Sequence, residues 1–86
     1  MYELFLTHEA QRFYERASEA LVRKLNRCFD LLRENPYDHP NIKALKGPLA
    51  GHFRYRLGDY RVIYRIDKQK NQVVVLLIVH RSKAYR

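Results

Sequence analysis

The chain has 86 residues, 47% of them hydrophobic, which is enough for one small packed domain over residues 1–86 and too apolar for a disordered basic tail. Seventeen Lys and Arg against nine Asp and Glu leave a formal charge of +8, and the single cysteine excludes a disulfide framework or a cysteine-based zinc cluster. The opening Met1-Tyr2-Glu3 lacks the basic start of an export signal, and the apolar run Val73 to Val79 is too short to cross a bilayer, so a cytoplasmic location without membrane contact is expected.

In chain order, Tyr2 to Thr7 alternates apolar with polar or mixed side chains and predicts a first strand. Thr7 can accept a hydrogen bond from a free first-turn amide, capping a helix from about His8 to Ala17. Ser18 followed by Glu19 is a second cap, with the acid placed to meet the helix dipole. Leu21, Leu25, Phe29 and Leu32 then recur on one face of an amphipathic helix, and Cys28 sits on that stripe or beside it. Asn35-Pro36 ends the helix, because a proline disfavours helical geometry in the residue before it. Residues 36–51, with three prolines and two glycines, read as a loop pinned to the core by Ile42 and Leu45.

The second half alternates strictly. His52 to Leu57 and Tyr60 to Ile66 flank Gly58-Asp59, a pair suited to a two-residue type II′ hairpin turn. After a polar loop, Val73 to Val79 is apolar on both faces, as in the middle of a sheet, and a basic tail follows from His80. The fold class is therefore α+β, in the order β-α-α-β-β-β. It comprises an antiparallel meander of three strands, an N-terminal strand and a helical hairpin packed on one face.

The net charge excess lies entirely in this second half. Residues 1–43 hold seven basic and seven acidic side chains, whereas residues 44–86 hold ten basic side chains and only Asp59 and Asp67. Such asymmetry points to a polyanionic partner, nucleic acid first. A two-residue turn at Gly58-Asp59 pairs Leu57 with Tyr60 and sets Arg56 opposite Arg61. Phe53, Tyr55 and Leu57 then share the core face with Tyr60, Val62 and Tyr64. Arg54, Arg56, Arg61 and Arg65 project from the other face. Like charges directly opposite in a sheet are destabilising, and neither neighbouring strand offers an acid on that face. Such arginines cost little if they splay into water, but four together without counter-charge imply an anion from outside, and the guanidinium fork suits phosphate.

The residue types also bound the chemistry. The basic half has no carboxylate pair for two-magnesium phosphoryl transfer, and His8, His39, His52 and His80 lack zinc-motif spacing, so no metal and no other cofactor is expected. Ser82 has no acid–base partner at recognisable spacing, and Cys28 reads as core. RNA cleavage by the ribose 2′-hydroxyl needs only a proton acceptor, a proton donor and positive charge around the phosphate. His52, His80, Tyr60 and Tyr85 are the candidates for proton transfer.

Lys43 to Gly47, the block His52-Phe53-Arg54-Tyr55-Arg56-Leu57-Gly58-Asp59-Tyr60-Arg61-Val62-Ile63-Tyr64 and the close Val79 to Arg86 resemble the RelE/ParE toxin superfamily, RelE-like branch, across essentially the whole chain. The resemblance implies a type II toxin that enters the ribosome and cuts mRNA, inhibiting translation by metal-independent 2′-oxygen attack. It implies catalytic roles for Arg61, Arg81, Tyr85 and His80. Phosphate or RNA contacts would fall on Arg54, Arg56, Arg65, Lys46 and Lys83. Arg54 and Arg56 stand where well-known RelE members carry lysines, which shifts acid–base duty towards His80 or Tyr85. The implied partners are ribosome, mRNA and a cognate antitoxin whose acidic segment covers the arginine face or the helix pair. The competing expectation is a ParE-like inhibitor of DNA gyrase that cuts no RNA.

Overall fold

A computed structural model describes residues 1–84. Strand β1 (Glu3–Leu6) leads through Thr7 into α1 (His8–Arg16), and Ser18 starts α2 (Glu19–Glu34). Both caps form as the side-chain chemistry dictates. Thr7 accepts from the Ala10 amide at 3.2 Å, and Ser18 accepts from the Leu21 amide at 3.2 Å. The second half gives β3 (Phe53–Leu57), β4 (Tyr60–Asp67) and β5 (Gln72–His80) as an antiparallel meander. Strand β1 pairs parallel with β5, so β5 is interior, as its two-sided apolar character requires.

The region 36–51 differs from the expectation of a plain loop. Ile42–Ala44 forms a short strand, β2, antiparallel to β3, so the sheet has five strands in the order β1-β5-β4-β3-β2. Three residues between prolines are too few to display an alternation, and pairing with β3 alone makes them a strand. Ile42 packs against the core as expected, whereas Leu45 lines a groove on the other side of the sheet.

One face of the sheet packs under α2, whose Leu25, Cys28, Phe29 and Leu32 are buried with Tyr55, Val62, Tyr64, Val73, Val75 and Ile78. The step from Val75 to Ile78 breaks the alternation of β5. Ile63 pairs with Leu77 and Tyr64 with Val75, so Leu76 is the extra residue of a β-bulge. Its carbonyl accepts from the Thr7 hydroxyl at 2.8 Å, tying the helix cap to the bulge. Among the described residues no helix is long and apolar enough to cross a membrane.

Two polar groups sit inside this core. The Tyr64 hydroxyl donates to the Pro36 carbonyl at 2.7 Å, holding the end of the helical hairpin against the centre of the sheet. Burial pushes the Cys28 thiol from 9.0 up to about 12, which suits a packing residue and not a nucleophile. Tyr64→Phe leaves a buried carbonyl without its donor and should cost about 1–3 kcal/mol in urea denaturation. Cys28 should not react with a thiol reagent at pH 8 until the protein is unfolded. Because its folded-state value lies above its unfolded one, the thiol binds its proton more tightly in the native state. Its contribution is complete below about 9 and is lost as pH climbs towards about 12, so alkaline denaturation curves should show stability falling across that window.

Candidate functional site

The site is built on the β3–β4 hairpin. Gly58 adopts φ +58° while Asp59 keeps a negative φ, the pattern of a type II′ turn. That turn pairs Leu57 with Tyr60 and Arg56 with Arg61, and it puts the arginines on the face away from the helices. A second like-charged pair adjoins the first: Lys43 of β2 lies directly opposite Arg54 of β3. Cross-strand pairs are worth roughly 0.2–1 kcal/mol either way, so two repulsive pairs side by side are a standing cost to the fold.

Backbone carbonyls hold two of these arginines without neutralising them. Arg54 donates to the Asn41 carbonyl at 2.9 Å, and Arg61 donates to the carbonyls of Gly58 and Tyr60, each at 2.9 Å. Among the described residues no acidic side chain lies within 4.0 Å of Arg54, Arg56, Arg61 or Arg65. The guanidinium groups are therefore partly oriented and uncompensated, as a phosphate site requires. Arg54 and Arg61 share a groove of about 650 Å³ with Lys43 and Lys46.

Arg81 reaches the same hairpin from the end of β5. Its amide donates to the Asp59 carbonyl at 2.7 Å, next to the Gly58 carbonyl that holds Arg61. Its Nε lies 3.8 Å from the Asp59 carboxylate, but both side chains are more than 60% exposed, and such a pair holds the arginine only weakly. Lys83 follows in a short 3-10 turn, Arg81–Lys83, and is exposed. Arg65 lies on the same face farther along β4, opposite Val74 of β5, and does not line the groove.

The structure separates His80 from the arginines that were expected to share its work. His80 pairs in register with Tyr60, and its ring lies edge-on to the Tyr60 ring at 5.6 Å, on the helix side of the sheet. Arg61 pairs instead with Val79, one residue away and so on the opposite face. His80 Nδ1 accepts from the Ser82 amide at 3.3 Å and caps the final 3-10 turn, which leaves the neutral ring's proton on Nε2. Tyr60 also belongs to the helix side, edge-on to Phe13 at 5.7 Å. His52 lies 3.2 Å through Nδ1 from the Leu49 carbonyl, where it braces the loop. Tyr85 lies outside the described residues. Lys43 is the residue that sequence reasoning left out of the site, because its place opposite Arg54 depends on a strand too short to see. The signal available was an Ile-Lys-Ala-Leu stretch directly before the hairpin.

A family model described as the ParE toxin of a type II toxin–antitoxin system, parDE, matches residues 4–85. Toxin RelE of Mycobacterium tuberculosis is 35% identical over 86 residues, covering 99% of this chain and 87% of that one. Toxin RelG of the same organism is 48% identical over 44 residues, and that match spans only 51% of each protein. Among solved structures, the toxin–antitoxin complex RelBE2 from Mycobacterium tuberculosis superposes with a TM-score of 0.80 at 31% identity, covering 92% of this chain and 96% of that one. The archaeal RelE–RelB complex from Pyrococcus horikoshii gives 0.82 at 25% identity, covering 96% and 98%. The chain belongs to the RelE/ParE superfamily of type II toxin–antitoxin toxins.

Relief of the repulsion across the hairpin is measurable without any substrate. Arg56→Glu places an acid opposite Arg61 and removes no packing contact from an exposed position. The variant should be more stable than wild type in urea by about 0.2–1 kcal/mol.

Proposed function

We propose that the toxin is a ribosome-dependent mRNA endonuclease that inhibits translation, with the hairpin arginines as its phosphate site. The observation that carries this reading is the convergence of Arg56, Arg61 and Arg81 on one turn, with no acidic side chain among the described residues within ion-pair distance of the two strand arginines. In the reaction, the ribose 2′-oxygen attacks the adjacent phosphorus and the bond to the 5′-oxygen breaks. The products are a cyclic phosphate and a 5′-hydroxyl that takes up a proton. Negative charge builds on the non-bridging oxygens as the fifth bond forms, and guanidinium groups set around them stabilise that state more than the ground state. The RNA supplies its own nucleophile, and the arginines supply charge that otherwise a metal would bring.

Arginine stays charged at neutral pH and carries protons poorly, so proton transfer falls to other side chains. Tyr85 and His80 are the candidates near the end of β5. The location of His80 on the helix side and its use as a cap favour Tyr85. A cognate antitoxin with an acidic toxin-binding segment, ordering as it binds, would meet the same arginines, and the solved relatives that are toxin–antitoxin complexes support such a partner. The parDE description of the family model keeps gyrase inhibition as the second reading, and the identity to a RelE toxin over nearly the whole chain weighs against it.

Induction in cells, followed by mapping of mRNA 5′ ends, separates the two. New ends within translated codons and arrested protein synthesis are expected. Continued translation with collapsing DNA supercoiling would overturn the nuclease reading. With purified ribosomes, Arg61→Ala should stay folded by circular dichroism and lose on the order of 3 kcal/mol of transition-state stabilisation, about two orders of magnitude in rate. Tyr85→Phe should slow single-turnover cleavage about 10²-fold or more, and His80→Gln should leave it within a few-fold of wild type.

A further inference from the structure

The groove beside the hairpin has a second character that phosphate binding alone does not require. Lys43, Lys46, Arg54 and Arg61 supply its cationic lining, and Ala44, Leu45, Pro48 and Leu49 supply its apolar lining. Its volume of about 650 Å³ lies within the roughly 300–1,000 Å³ of small-molecule sites. The apolar lining from Leu45 onward is preformed, because the loop that carries it is laced to the start of β3. The Leu45 amide donates to the His52 carbonyl at 2.9 Å, and the His52 amide donates to the Leu49 carbonyl at 3.1 Å. Gly47, at φ +65°, turns the chain between Lys46 and Pro48 where a side chain would be strained.

A free inorganic anion would use only the cationic lining of such a groove, and a purely apolar segment only the apolar lining. A nucleotide uses both, since it joins a phosphate to a flat base whose π-face packs on apolar surface. The groove is also continuous with the phosphate site, because Arg54 and Arg61 belong to both and Lys43 lies directly opposite Arg54. We infer that the groove is a nucleotide subsite flanking the scissile phosphate of single-stranded RNA, with Lys43 and Lys46 taking the neighbouring phosphate and Leu45, Pro48 and Leu49 packing against its base. This assignment rests on the nuclease reading for the position of the scissile phosphate, but occupancy of the groove is measured without cleavage.

The probe is tri-adenylate RNA carrying 2′-deoxyribose at its internal linkages, so that no 2′-oxygen can attack. Titrated into the full-length, isotopically labelled toxin, it should shift the amide resonances of Leu45, Lys46 and Leu49 together with those of the hairpin. Lys43→Ala should weaken binding about fourfold at 0.15 M salt. It should also lower the slope of log K against log salt by about 0.7, the share of one phosphate contact in a single strand. Lys43→Arg should restore that slope. Removing the base of the flanking nucleotide should abolish the shifts at Leu45 and Leu49 while sparing those at Arg61. An unchanged salt slope in a folded Lys43→Ala variant would overturn the subsite. So would shifts confined to the hairpin, or shifts at Leu45 and Leu49 produced only by an acidic, leucine-containing peptide. Failure of the wild-type toxin to cut mRNA on ribosomes would sink the nuclease reading and leave these binding results standing, so the two failures are distinguishable.

Discussion

The cationic face depends on the register of one hairpin. Gly58, at φ +58°, lets a two-residue turn follow the twist of β3 and β4, and that turn places Arg56 opposite Arg61. Side chains alternate along a strand, so a slip of one residue would bury Arg61 and expose Val62, which is wholly buried in the fold. The energy that resists such a slip comes from Tyr55, Val62 and Tyr64 packing under α2. The hydrophobic face therefore holds the arginines together against their own repulsion.

The same core explains why the charged face can be left bare. Helix α2 and the inner face of the sheet are complete without it, and the structure has no buried polar side chain lacking a partner among the described residues. Backbone carbonyls of Asn41, Gly58 and Tyr60 orient Arg54 and Arg61 without adding negative charge. A carboxylate in any of those places would steady the hairpin and cancel the field that attracts an anion. Stability and the anion binding proposed above pull in opposite directions here, and the arrangement leaves the repulsion in place.

Tertiary pairing also redistributes roles among residues of similar chemical type. Arg81 and His80 are neighbours in sequence, yet Arg81 joins the hairpin turn through Asp59 while His80 turns to Tyr60 on the helix side. Lys43 acquires a place beside Arg54 through a strand of three residues. The cationic surface thus spans three strands and one loop, and its groove is lined in part by apolar residues.

Features governed by local chemistry were legible from the sequence. Thr7 and Ser18 cap because a hydroxyl just before a helix meets free amides. The helix stripe buries because apolar residues recur every three or four positions. Gly58-Asp59 turns as it does because glycine tolerates positive φ. From those, the opposition of Arg56 and Arg61 follows directly. Only the folded structure decided the rest, because it depends on partners far apart in the chain. Strand β1 lies parallel to β5, the bulge at Leu76 reverses the facing of β5, and β2 exists because β3 offers it an edge. In a strand apolar on both faces the alternation carries no signal of an inserted residue, and in a strand of three residues there is too little alternation to read.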